Sequence, residues 1–515
     1  MIYYLAPTGK DTNIGTIASP WFTLQKAWTN LLPGDIVYMR GGTYTYSVQQ
    51  YLITKNGTST NNIKVHAYND EKPIITRAAL FSKPGNYWHR GMVVLSGNFI
   101  HIKGIRFTGM YTDDNQVDAG LQTWDVNNCI FEMLECDNNV EGMIIENNSS
   151  NNLVLNSDFH DNYSNYGGSN GGNSDGLGIT YVQPNTTNTV RGCRAWNNGD
   201  DGFDTFEDRG YVRLENCWSW HNGYNKGTTT PAGNGVGFKL GSVFLAGNTL
   251  SNTVLRKLTN CISADNRDAG YHSNEGILRC ELFNTVSYKN GNTGYHFHYG
   301  NLIHTFTNNI SLANGNWDVE ISSVSVSKNN SFGGQSDGGS GWQKTASSSD
   351  FVSLDVSQLI RPRKADGSLP DITAFTLATG SDMIDTGINV GLPFNGTAPD
   401  RGAFEYGSVS ITTTTTKSPI TTSTTTTTTK VPITTSTTTS TTKVPTTSTT
   451  STTTKSPKIV KTANNNLSTK RLVITFTDGT TKTISNSTKS IKTVLTDYVT
   501  KQVIVTYSDG TSVIF

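Results

Sequence analysis

One phrase recurs between about residue 130 and residue 320, a stretch ending in asparagine and followed shortly by glycine and an aromatic. Its terminal asparagines are Asn138, Asn162, Asn198, Asn222, Asn266, Asn290 and Asn314, at intervals of 24, 36, 24, 44, 24 and 24 residues. A basic period of 24 with two enlarged coils marks a solenoid, in which each repeat buries its apolar face against its neighbours. Short β-branched runs between Gly/Asn turns make that solenoid an all-β chain, a parallel β-helix. Equivalent side chains then stack at the inter-strand spacing of roughly 4.8 Å. Composition agrees: with 50 glycines and only 16% charged residues, turns and short strands are favoured over amphipathic helices.

The period assigns columns. Five residues before the repeating asparagine stand Cys193, Cys217 and Cys261. A column of like residues points to packing, so all six cysteines (with Cys129, Cys136 and Cys280) are expected as buried free thiols. The alternative, a disulfide framework, belongs to short secreted chains. Five residues after the asparagine, allowing for loops, come Met143, Leu177, Phe203, Phe238, Tyr271 and Tyr295, the expected inner stack. Strand side chains alternate, so the next residue faces outward. That outer column reads Ile144, Gly178, Asp204, Lys239, His272 and His296.

The same register brings Asp175 beside Asp201, with Asp200 and Asp204 alongside. Alone, Asp200-Asp201-Gly202 reads as a surface turn. Four carboxylates on neighbouring coils repel one another unless a cation neutralises them, and dense oxygen ligands suit Ca²⁺ better than a transition metal. Lys239 follows Gly235-Val-Gly-Phe238, one coil from Asp204. Glycines there let a polymer approach the backbone. A lysine beside a bound cation and other positive groups has its pKa lowered and can act as a base. A cation on a uronate carboxylate with a base at the adjacent carbon is what β-elimination of an acidic polysaccharide requires. His272 and His296 are candidates for substrate contact, with stacked turn histidines as the alternative. Arg267 and Arg279 are candidates for pairing substrate carboxylates. Trp196, Trp218 and Trp220 read either as sugar platforms or as packing between coils.

Composition changes after Asp400–Gly407. Residues 408–457 are nearly all Thr and Ser, an extended linker that cannot bury enough apolar area to order itself. Beyond it, residues 458–515 hold two hairpin patterns, around Asp478-Gly479 and around Asp509-Gly510, suited to attachment or binding. The expected domains are therefore 1–407, 408–457 and 458–515. Lys+Arg and Asp+Glu both number 40, so no global field draws in nucleic acid or anionic membrane. No apolar stretch approaches the ~20 residues of a membrane span. The opening Met1-Ile-Tyr-Tyr-Leu-Ala-Pro lacks the marks of a signal peptide.

Four motifs carry a family likeness: Asn173-Ser-Asp-Gly-Leu-Gly178, Cys193 through Asp204, Glu215 through Gly223, and Gly235-Val-Gly-Phe-Lys-Leu-Gly241. At these residues the chain resembles polysaccharide lyase family nine, the pectate and exopolygalacturonate lyases. Over residues 1–407 the resemblance implies a right-handed parallel β-helix with a short capping helix around Trp21–Leu32. It also implies Ca²⁺ held by Asp175, Asp200, Asp201 and Asp204, Lys239 as Brønsted base, and a pectate-like substrate. Members are generally exported, which implies extracellular action. The linker and hairpins depart from the family and point to carriage on a larger particle such as a phage tail. Two rival readings on the same fold are a polygalacturonase-like hydrolase using Asp200 and Asp201 as acid and base, and a glycan-binding adhesin without catalysis.

Overall fold

A computed structural model describes residues 1–83, 90–111, 117–241, 254–276, 278–299, 302–332 and 344–407, together with six strands between 460 and 514. The chain divides into two compact units, Met1–Thr416 and Lys417–Phe515.

In the first unit the chain visits three parallel sheets in turn, coil after coil. The first sheet has 12 strands, from Ile2–Leu5 to Val326–Lys328. The second and third have 10 each, ending at Ile310–Leu312 and Trp317–Ile321. This is a β-helix. Its inner column is the one the period predicts: Met143, Leu177, Phe203, Phe238, Tyr271 and Tyr295 occupy paired positions on successive strands of the third sheet. The last four rings stack with centroids 5.0, 5.0 and 4.9 Å apart. All six are buried in one core that runs the length of the coils.

The asparagine ladder is a hydrogen-bonded column. Asn222 Nδ2 donates to Asn266 Oδ1 at 2.8 Å, and Asn266 Nδ2 donates to Asn290 Oδ1 at 2.9 Å. Its first member is Asn139, not Asn138, because the Asn139 amide N–H donates to Asn162 Oδ1. Asn138 instead takes a left-handed bend, φ 52°. The six cysteines are buried and unpaired.

Residues 344–407 lie against the outer face of the second sheet. There Phe351, Leu359, Phe375 and Met383 pack on Trp196, Trp218, Trp220, Ile262, Val286 and Ile310. Arg194 ties the two together, donating to the carbonyls of Leu359 and Arg361. The tryptophans are therefore packing residues, not sugar platforms; Trp196 and Trp220 stack at 4.8 Å.

The capping helix is Leu24–Asn30, begun by Thr23, whose side chain accepts from the Lys26 amide. It buries Leu24, Ala27 and Trp28. Among the described residues no helix is long and apolar enough to cross a membrane.

The second unit holds two three-stranded antiparallel sheets. Strands Arg471–Phe476 and Thr481–Ser485 pair, as do Gln502–Tyr507 and Ser512–Ile514. To each hairpin the structure adds a strand, Val460–Asn466 or Ile491–Asp497. The Asp-Gly turns and the Thr/Ser linker lie outside the described residues.

Candidate functional site

Midway along the third sheet the strands shrink to two residues: Phe203–Asp204, Phe238–Lys239 and Tyr271–His272. In each the aromatic points to the core, so its neighbour must point out. The pairing aligns Gly178, Asp204, Lys239, His272 and His296 on successive coils, as predicted. Outward does not mean exposed. Asp204 is 5% and Lys239 8% accessible, at the floor of a cleft of about 420 Å³.

The acidic residues reach this floor from the turns that lead into the same strands. Asp175 Oδ1 accepts from the Asp201 amide at 2.8 Å, which locks two successive coils together. Asp201 Oδ1 accepts from the Val236 amide at 2.7 Å. Asp200 accepts from the amides of Asn173 and Asn234, one from each of the two enlarged coils. One oxygen each from Asp175, Asp200 and Asp201 lie within 4.8 Å of one another. Lys239 Nζ sits 2.8 Å from Asp201 Oδ2 and 3.3 Å from Asp204 Oδ2.

Electrostatics here departs from one expectation. Burial disfavours the Lys239 charge, but Asp201, Asp204, Asp175 and Asp200 overcome it and hold the ammonium well above the usual lysine range. A lowered pKa would need a net positive surrounding, and the charges grouped around this lysine are carboxylates. Burial, followed by mutual repulsion, in turn raises Asp175 well above the carboxylate range and lifts Asp200 to about 6. Burial also raises Asp201 and Asp204, against the pull of Lys239.

The glycines before Lys239 do not open the backbone to a polymer. A side chain at Gly235, where φ is 80°, would meet the Cα of Gly223, and one at Gly237 would meet Ser263 Oγ; both glycines serve contact between coils.

His272 and His296 stack at 4.3 Å beside the lysine. Burial, then His296 and Lys239, push His272 down to about 3, so its ring is neutral. Arg267 Nη2 donates to the Gly233 carbonyl at 2.6 Å. It braces the loop whose Asn234 amide serves Asp200. Arg279 opens a strand of the first sheet, away from this row.

Sequence reading missed several residues of the cleft. Arg90, Glu141, Tyr181 and Phe206 line it. Arg90 pairs with Glu146, and the Phe206 ring lies 5.8 Å from Lys239 Nζ. These residues stand in turns or on early coils where no column repeats them. Glu141 had one indirect signal, Gly178. A side chain there would strike Glu141 Oε1.

The family model for the Pel9A-like, right-handed β-helix region matches residues 3–329. The chain belongs to the Pel9A-like family. It is 32% identical over 413 residues to pectate lyase L of Dickeya chrysanthemi, covering 78% of this chain and 90% of that protein. To pectate lyase PEL9 of Emericella nidulans it is 31% identical over 292 residues, 53% of this chain and 69% of that one. Among solved structures, pectate lyase Pel9A superposes with a TM-score of 0.63 at 30% identity, covering 79% of this chain and 96% of that chain. A rhamnogalacturonan lyase gives 0.64 at 27% identity, covering 73% and 96%. This Pel9A-like chain is a polysaccharide lyase, homologous to pectate lyases over most of its length.

Proposed function

We propose that the enzyme cleaves a pectate-like polyuronate by β-elimination, with Lys239 as base and with Ca²⁺ held by Asp175, Asp200, Asp201 and Asp204. One observation carries this: carboxylates from adjoining coils converge on a single lysine at the floor of an open cleft. The donor set fits a hard cation. It is all oxygen, and Asp204 Oδ1 is buried without a hydrogen-bond partner. When bound, calcium supplies positive charge beside the uronate carboxylate, which acidifies the proton on the neighbouring ring carbon.

The chain's own groups do the rest. Lys239, which the free carboxylates hold as an ammonium, would lose its proton once a cation offsets their charge. As a neutral amine it takes the proton from the ring carbon, and the electron pair of the broken C–H bond becomes the new double bond as the glycosidic oxygen leaves. The ammonium so formed finds Asp201 and Asp204 already in place. Phe206 and His272 flank the lysine, and their rings lower its exposure to water, which strengthens the charges beside it.

The test is ultraviolet absorbance of the unsaturated product on polygalacturonate, with calcium and then with excess chelator. We expect absorbance to rise, to vanish with chelator, and to fall by about 10²–10⁴-fold in Lys239→Ala, the range of a lost general base. New reducing ends without absorbance mean hydrolysis and end the proposal. The likeness to a rhamnogalacturonan lyase supports a second substrate reading, met by running the same assay on that polymer. We further propose extracellular action, with the Lys417–Phe515 unit as the attachment to a carrier such as a virion; absence from purified particles would refute the carrier.

A further inference from the structure

Beyond Lys239 the outward row of the third sheet continues through His272 and His296 to Glu320. The last two are directly paired positions on adjacent strands, Thr293–Phe297 and Trp317–Ile321. His298 follows two residues after His296, just past the end of its strand, and lies on the same face. The two rings stack at 4.6 Å. His296 Nε2 stands 3.4 Å from Glu320 Oε2, and His298 Nδ1 stands 3.6 Å from Glu320 Oε1. One donor atom from each of the three lies within 4.8 Å of the others.

We propose that His296, His298 and Glu320 bind a divalent transition-metal cation of the Zn²⁺ class, at a site separate from the acidic cluster. Three features carry this beyond ring packing. First, the set is two imidazoles and one carboxylate, a combination that suits zinc and its neighbours and not calcium. Second, His296 Nε2 is buried and makes no hydrogen bond. A buried imidazole nitrogen without a hydrogen bond costs free energy unless something coordinates it, and this one stands 3.4 Å from Glu320 Oε2. Third, the site has a way in. The His298 and Glu320 side chains are 44% and 41% exposed, against 20% for His296, so the inner ligand is fixed by its coil and the outer two close over an arriving ion. Metal–nitrogen bonds of about 2.0–2.1 Å need only small side-chain rotations from these separations.

Three protein ligands leave a fourth position open. It faces the same side of the β-helix as Lys239, two coils away, roughly 10 Å at the inter-strand spacing. A polyuronate lying along that face would bring a carboxylate to it, so the site, on the function proposed above, would hold a second uronate of the same polymer beyond the neighbour of the one under attack.

The test uses the full chain with calcium in excess, so that the acidic cluster is not free to take the added metal. Zn²⁺ is titrated calorimetrically, and Co²⁺ is added separately as a spectroscopic probe. We expect one equivalent of Zn²⁺ to bind saturably, with affinity at least about tenfold weaker in His298→Ala and in Glu320→Gln and unchanged in Asp201→Asn. Bound Co²⁺ should show the intense visible bands of a four- or five-coordinate site. Both substituted side chains are exposed, so the variants should keep the wild-type circular dichroism. No saturable binding, binding indifferent to both substitutions, loss of binding in Asp201→Asn, or a Co²⁺ spectrum like that of the hydrated ion would each overturn the assignment.

Discussion

Lys239 and the carboxylates around it are costly to bury, and the free energy is recovered only through mutual neutralisation and the amides of Asn173, Asp201, Asn234 and Val236. Glu141 lies outside that exchange. Burial, and then Glu146 and Asp204 against the pull of Arg90, push its carboxyl well above the usual carboxylate range, which favours the protonated form. Glu141→Gln keeps the shape and the charge of a neutral carboxyl, and urea denaturation should find it within about 0.5 kcal/mol of wild type. His304 is the opposite case. It is fully buried, its Nδ1 accepts from the Cys280 amide at 3.2 Å, and burial followed by Arg279 lowers it to about 4. The folded chain therefore binds this proton less readily than the unfolded chain. Stability is whole above the ordinary histidine pKa of about 6.5 and is lost as pH falls from there towards 4. His304→Asn keeps an acceptor for Cys280 without a titrating ring. Between pH 7 and pH 4 its unfolding free energy from urea denaturation should fall less than that of wild type, the difference being on the order of a few kcal/mol at most.

A coil is held by columns, and its columns are unequal. Asn222 in mid-ladder accepts from the backbone and side chain of Asn198 and donates to Asn266, Ser219 and the Ala195 carbonyl. Asn314, at the end, is half-buried. Asn222→Ala strands several buried partners and should cost about 2–4 kcal/mol by urea denaturation, and Asn314→Ala clearly less. Columns are also why the fold was readable in the sequence. A period repeated over seven coils averages out local ambiguity, so the inner aromatics and the outward Asp204-Lys239-His272-His296 row follow from counting. Counting failed at Asn138, where two asparagines stand together in a coil one residue short and backbone geometry chooses between them. It was silent on Arg90, Glu141 and Tyr181, which no neighbouring coil repeats. It offered Arg267 for the substrate and gave no sign of the bond that guanidinium makes to the Gly233 carbonyl. Periodicity reports which face a residue takes, and nothing about which neighbour satisfies it.

At the scale of the molecule two boundaries differ in kind. The segment 344–407 covers the tryptophan-lined face of the second sheet, with Arg363 paired across the join to Asp158, which also pairs with Arg194 of its own sheet. Ending the chain at residue 343 bares that face. Such a chain should bind a hydrophobic dye strongly and aggregate. Ending it at Thr416 separates two compact units, and should leave the thermal midpoint within about 2 °C and the lyase turnover unchanged.

The ladder also tolerates coils of very different length. Its bonds span 24 residues from Asn198 to Asn222 but 36 from Asn162 to Asn198 and 44 from Asn222 to Asn266, and the core does not register the difference. Both long coils spend extra residues in turns that lead to the cleft, at 163–174 and 224–234. Evolution can therefore remodel the rim by inserting or deleting chain there while every rung stays put. Among relatives, divergence in polymer preference should be inherited as changes in the length of these two turns, and gaps in their alignments will sort the lineages better than substitutions in the strands.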